Sequence, residues 1–544
     1  MTQTAPSSSL PVLGVAAVRQ HLLDRREIAL LDLREEDPYA QAHPLWAANL
    51  PLSRIELEAW RRIPRRDTLV VLYGEHEGED LVARGAAVLA RLGYTKVHAL
   101  DGGLHGWHAA GGELFRDVNV PSKAFGELVE HERHTPSLPA EEVQALLDAK
   151  ADVVVLDARR FDEYQTMSIP GATSVPGAEL VLRARALAPD PATRVIVNCA
   201  GRTRSIIGTQ SLVNAGLPNP VAALRNGTIG WLLAGQQLDH GAQRRAPAQV
   251  DAAVAAQARA DAQAVAARAG VRPLALAELP ALLGEAGRTT YRLDVRTPEE
   301  YEAGHLPGFA SAPGGQLVQE TDHHAPVRGA RFVLADDDGV RAAMTGSWLA
   351  QMGWEVWRIE GATAADFRET GTPAPERPAP HRDVEPIAPA ALAELLQAGD
   401  VVLIDVGASA NYVRRHIPGA WFAVRAQLET ALAKSLPPAA QYVLTCGTSL
   451  LAAYAAADLR TLLDAQGRAD VPVRLLTGGN AAWFAAGLPE EAGEAGLATP
   501  RTDRYRRPYE GTDAPREAMQ GYLDWEFGLV AQLGRDGTHH FAVI

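Results

Sequence analysis

Leu156-Asp157-Ala158-Arg159 closes one apolar run, and Val195-Ile196-Val197 opens another that ends in Cys199-Ala200-Gly201-Arg202-Thr203-Arg204-Ser205. Asp157 and Cys199 stand 42 positions apart. The same frame recurs three more times. Leu31-Asp32-Leu33-Arg34, Leu293-Asp294-Val295-Arg296 and Ile404-Asp405-Val406-Gly407 close matching runs. Gly74, Asp336 and Cys446 head the matching loops, at intervals of 42, 42 and 41. Each Asp is followed by a Tyr (Tyr39, Tyr164, Tyr301, Tyr412) and then by a turn such as Ile169-Pro170-Gly171 or His416-Ile417-Pro418-Gly419. Agreement at this level marks a tandem repeat.

Short apolar runs, bounded by turns and separated by helical patterns, read as buried parallel strands with crossover helices. The chain is therefore expected to be α/β, four tandem domains, each a parallel sheet flanked by helices. Their expected spans are 10–115, 136–240, 271–373 and 384–490, with an aromatic-rich tail at 491–544. Val118 to Pro136 reads as a linker with a solvated helix, and Ala-rich Ala246 to Gly270 as a joining helix. Gly371 to Pro380 is a Pro-rich joint. Tyr505, Tyr509, Tyr522, Trp525 and Phe527 argue that the tail packs onto something.

Composition narrows the function. Lys+Arg number 52 against 66 Asp+Glu, a net charge of −14, which disfavours nucleic acid and anionic membranes as partners. No run approaches the ~18 apolar residues of a membrane span. Met1 to Leu10 shows no secretory pattern, so a reducing cytoplasm is the expected location. The 2 Cys exclude a disulfide scaffold and a Cys-rich zinc module. No metal site is expected: His131 and His134 lack a third ligand, and His323-His324 and His539-His540 read as surface pairs.

An apolar strand ending in Asp-x-Arg, an Ile-Pro-Gly-Ala turn, and a strand running into Cys-Ala-Gly-Arg-Thr-Arg-Ser together resemble the rhodanese (sulfurtransferase) family. The resemblance runs from about residue 10 to 490 and is strongest in the second copy. It implies a five-stranded parallel sheet with the Cys at a strand's carboxyl end. It also implies transfer of sulfur from a small anionic donor such as thiosulfate, through a persulfide, to cyanide or a thiol. No cofactor is implied, because the sulfur travels covalently.

The chemistry of the second loop fits that reading. Cys199 ends a strand and precedes a helix, so successive backbone N–H groups and the helix N-terminus favour a thiolate. Gly201 lets the loop curl; Arg202 and Arg204 are expected to hold the donor's anionic end, with Thr203 and Ser205 as hydroxyl donors. A cysteine phosphatase or arsenate reductase would place Arg six residues after its Cys, where Ser205 stands. The first loop, Gly74 to Asp80, carries four carboxylates and no sulfur, and the third begins Asp336-Asp337-Asp338. Both are expected to be silent. The fourth keeps Cys446 as a candidate second thiol but has no cation, with Leu450 and Leu451 instead. A sulfur carrier or scaffold serving a partner enzyme is the alternative function, and a homodimer is left open.

Overall fold

The computed structural model describes residues 10–76 and 78–544. Met1 to Ser9, most of the stretch read for a secretory pattern, and Glu77 of the first loop lie outside them. Four sheets are present, one per copy. In domain 2 the strands run Ser137–Leu138, Val221–Leu224, Arg194–Asn198, Val153–Asp157 and Thr173–Ser174, every neighbouring pair parallel. β-Branched Val-Val-Val and Val-Ile-Val fill the two central strands, as suits a sheet covered by helices on both faces. Asp157 pairs in register with Asn198, which places the Asp-x-Arg motif beside the residue before Cys199. Asp32 with Tyr73, Asp294 with Ala335 and Asp405 with Thr445 repeat this register. Each loop thus lies at the carboxyl ends of its strands, where open α/β sheets bind ligands.

Three features of the assembly depart from the sequence reading. The first sheet has six strands, because Val327–Arg328 of domain 3 pairs antiparallel with Ile28–Asp32. The Val120–Arg133 segment, expected as a solvated linker, is a helix whose Val120 to Glu127 stretch is wholly buried, with only its end exposed around His131 and His134. His539 and His540, expected on the surface, are half-buried where the chain end returns to domain 1. The Ala-rich helix Ala252–Arg268 starts at an Asp251 cap and packs between domains 2 and 3. No helix among the described residues is long and apolar enough to cross a membrane.

One continuous apolar core joins domains 1, 2 and 3, running from Leu31 through Phe125 and Val197 to Trp348. Domain 4 has cores of its own. It is fastened to domain 1 by Arg425, whose guanidinium donates to both oxygens of Glu56 at 2.8 and 2.9 Å and to the Ser53 carbonyl. Each partner of that pair is 5% exposed. Arg425→Ala leaves the buried Glu56 carboxylate with the half-exposed Arg91, 3.9 Å away, as its remaining ion partner, so a loss of about 3 kcal/mol in urea-unfolding free energy is expected. An unchanged denaturation midpoint would show that water replaces the arginine.

Candidate active site

Cys199 is 2% exposed, directly after the strand Arg194–Asn198 and four residues before the helix Thr203–Asn214. The loop's carbonyls are tied from behind. Thr228 N–H donates to Cys199 O at 2.9 Å and Ile229 N–H to Ala200 O at 3.1 Å. Gly227 makes this approach possible: its φ is +54°, and a Cβ there would lie 2.3 Å from Cys199 O. With the carbonyls held back, the amide edge of the loop is left for the sulfur. The Cys199 thiol donates to Ser205 Oγ at 3.4 Å, and Ser205 Oγ donates to Arg202 O at 2.8 Å. Burial pushes the Cys199 thiol up, while Arg204 and hydrogen bonds from Ser205 pull it down; the net direction is upward.

The loop residues expected to bind anions are separated by the fold. Arg202 turns to the Val120–Arg133 helix, donating to both Glu127 oxygens at 2.7 and 2.9 Å and pairing with Glu130. Its remaining nitrogen donates to Asn226 Oδ1, and its plane lies on the Phe527 ring. Thr203 packs against Gly126. Arg204 points the other way and is bidentate to Glu163 at 2.8 Å for each bond. Gly201 faces the tail: a Cβ there would meet the Tyr522 ring at 3.2 Å and Glu526 Oε2 at 3.6 Å. Of the named loop residues, Ser205 is the one that hydrogen-bonds the sulfur among the described residues.

The tail is the part of this site that sequence reasoning did not place. Its helix Arg516–Phe527 lies over the loop and brings Tyr522 and Glu526 into the interior. Tyr522 OH donates to Glu526 Oε1 at 2.7 Å, while Oε2 is buried without a partner. Beside them Lys123 donates to Asp117 at 2.7 Å within a cage of Tyr509, Tyr522 and Trp525. Burial would lower the Lys123 ammonium, but Asp117, Tyr509 and Glu526 together hold it up. Burial, reinforced by Glu127, pushes the Glu526 carboxyl up to about 8. The aromatic tail was a legible signal, but its destination was not.

The other loops are occupied by their own side chains. In domain 1 the Glu79 carboxylate accepts from the N–H groups of Glu75 and His76, at 3.1 and 2.9 Å. In domain 3 Asp336 accepts from Ala342 N–H at 2.8 Å, and Asp338 accepts from Val340 and Arg341 at 2.7 and 3.0 Å. No metal-holding cluster exists among the described residues. In domain 4 Cys446 Sγ accepts from Ala452 N–H at 3.5 Å and is packed among residues of its own domain. The Cys199 sulfur bonds to Ser205 and the Cys446 sulfur to the Ala452 amide, each within its own domain.

Comparisons with known proteins agree with this architecture. A family model described as "Rhodanese-like domain" matches residues 15–110, 139–234, 276–365 and 388–486. A curated thiosulfate sulfurtransferase of Azotobacter vinelandii is 29% identical over 217 residues, covering 37% of this chain and 79% of that relative. The crystal structure of thiosulfate sulfurtransferase from Pseudomonas aeruginosa is 65% identical, with a TM-score of 0.95 over 98% of this chain and 100% of that one.

The buried Glu526 carboxyl yields a pH signature. Its folded pKa lies above that of an unfolded Glu, so its favourable contribution is complete below the unfolded value and is lost as pH rises through about 8. Glu526→Gln is therefore expected to raise the melting temperature at pH 8.5, the gap narrowing toward pH 5. A gap that stays constant with pH would mean that Glu526 does not titrate there.

Proposed function

The chain belongs to the rhodanese family, with the family's domain present four times, and on that footing we propose that it is a thiosulfate sulfurtransferase whose working thiol is Cys199. The Cys199 thiolate attacks the outer sulfur of thiosulfate. The Sγ–S bond forms, the S–S bond of thiosulfate breaks, and its electron pair leaves on sulfite. Cyanide or a thiolate then attacks the terminal sulfur of the persulfide, and the Sγ–S electron pair returns to Cys199.

The observation that carries this reading is the asymmetry among the four loops. Domains 1 and 3 fill their loop amides with Glu79, Asp336 and Asp338, whereas domain 2 turns its loop to a sulfur with Arg204 nearby. The carboxylates of the first and third loops take up amides that an anion would need, whereas the second loop carries no carboxylate of its own. Cys446 lacks that cation: Leu451 stands at the position of Arg204, and Gly407 replaces the Asp-x-Arg arginine, with Asn480 donating to Asp405 instead at 2.7 Å. We assign Cys446 a packing role. Domains 1, 3 and 4 act as scaffold. Arg202 acts by holding the loop to the Val120–Arg133 helix, and Arg204 acts by its charge near the sulfur.

Peptide mass mapping after incubation with thiosulfate tests the assignment. One added sulfur atom is expected on Cys199 and none on Cys446. Cys199→Ser should lower kcat/KM by roughly a thousandfold or more. Sulfur on Cys446 alone, or on neither thiol of folded reduced protein, overturns the assignment. Fast loading with slow release to small acceptors, but rapid release to a protein thiol, would instead identify a sulfur carrier.

The raised thiol has a kinetic consequence. The loading rate should climb with pH, with an inflection above that of an ordinary cysteine, because burial favours the neutral thiol. Arg204→Gln should move the inflection further up by removing the nearest opposing charge. An inflection at or below the ordinary value would overturn the expectation that burial dominates at this thiol.

A further inference from the structure

Gly201 is a glycine for space. The third loop residue is His76 in domain 1, Asp338 in domain 3 and Thr448 in domain 4. Gly227 behind the loop needs its left-handed backbone, but Gly201 does not lie in that region. What stands against Gly201 is the tail: a Cβ there would press the Tyr522 ring at 3.2 Å and come within 3.6 Å of Glu526 Oε2. The missing side chain lets a carboxyl of the tail lie against the loop two positions after Cys199.

Glu526 is 0% exposed. Its Oε1 accepts from Tyr522 OH at 2.7 Å, and Oε2 has no partner among the described residues. The ionisable groups facing it are Tyr522 of its own helix, Lys123 and Glu127 of the Val120–Arg133 helix, and Arg202 and Cys199 of the loop, with Asp117 and Tyr509 beside Lys123. Lys123 is engaged by Asp117, and Arg202 by Glu127. The cavity of about 460 Å³ walled by domain 2, the Gly314–Gln319 helix of domain 3 and the tail is lined by Arg204 and Tyr509, but by neither Cys199 nor Glu526. Burial, reinforced by Glu127, pushes the carboxyl up to about 8, so it is neutral at pH 7. With Tyr522 donating to Oε1, the proton belongs on Oε2, an O–H donor with nothing to donate to. A buried donor left unmet destabilises a fold, and such an atom marks a place where a ligand completes the bonding.

The discharge step calls for such a donor. The terminal sulfur of an ionised persulfide carries the negative charge and repels an anionic nucleophile; once protonated it can accept an electron pair. Resting on the sulfurtransferase reading, we propose that Glu526 is the catalytic acid of discharge, giving its Oε2 proton to the terminal sulfur of the Cys199 persulfide. The cyanide carbon then bonds to that sulfur, the Sγ–S bond breaks, and its electron pair returns to Cys199 Sγ. The proton passes from the new thiocyanic acid back to the Glu526 carboxylate, whose charge Lys123 and Arg202 stabilise in the interval. The tail thus supplies a reacting group as well as a cover.

The test follows discharge alone. The full chain is loaded with inorganic polysulfide, freed of excess and mixed with cyanide, and thiocyanate formation is read across the pH range and expressed per cyanide anion. For the native chain this rate constant is expected to fall at least tenfold as pH rises, with an inflection at or above about 8, because the group acts in its protonated form. Glu526→Gln keeps the shape and an N–H donor but has no proton to give. One sulfur per chain should still load, while discharge at pH 7 becomes at least tenfold slower and loses its alkaline decline. Glu526→Asp should regain part of the rate together with the decline. A native rate that stays flat or rises with pH overturns the proposal, and this reading needs no variant should the Gln chain misfold. Native discharge in the Gln chain overturns it also, as do loading and discharge rates that fall together, which mark a structural role. Polysulfide loads the thiol without thiosulfate, so failure with thiosulfate alone counts against the activity reading and not against Glu526; a Cys199 that takes sulfur from neither overturns both.

Discussion

Where a parallel strand runs straight into a helix, the first amides of that helix have no partner within it. Every domain of this chain meets that constraint at the same place and answers it differently. Glu79 closes the first loop, and Asp336 with Asp338 the third. Cys446 receives a helix amide in the fourth. Among the described residues, the second loop combines a sulfur, a nearby arginine and an Asp-x-Arg guanidinium whose Nη1 makes no hydrogen bond. One backbone geometry thus underlies all four loops, because an unmet donor set binds an anion that either the chain or a ligand supplies.

Closure of the site has an electrostatic cost that recurs in its titrating groups. Glu526 and Cys199 are both held toward their neutral forms by burial. Lys123 stays charged because Asp117 and a ring of aromatic faces take the place of water. Arg202, pressed on Phe527 and bound to Glu127, ties the loop, the buried helix and the tail into one unit. Such a network is rigid while complete and sensitive to the loss of any member.

The other domains also shape the site around Cys199. Domain 3 lends a strand to the first sheet and a helix to the cavity wall. Domain 1 receives the returning chain end, where Trp46 donates to the Thr538 carbonyl. Trp348 of domain 3 donates to Ser211 of domain 2 at 2.9 Å, within the shared core. Tandem copies with one fold have here become non-equivalent parts of one structure.

The repeat and its sheets were legible in the sequence because strand hydrophobicity and the Asp-to-loop interval are local, periodic properties. So was the position of Cys199 at a strand's end, with Arg202 and Arg204 close behind, since chain order alone gives it. The direction of each arginine was not legible: Arg202 and Arg204 are two positions apart yet face opposite partners, Glu127 and Glu163. Nor was the burial of Lys123, the strand lent by domain 3, or the meeting of Glu526 with Gly201, more than three hundred residues away. Local sequence determined which segments form strands and loops, because backbone pairing and side-chain period act over a few residues. The tertiary structure decided which charges neutralise one another and which stay free for a ligand, because those pairings arise only when distant segments share one dry interior.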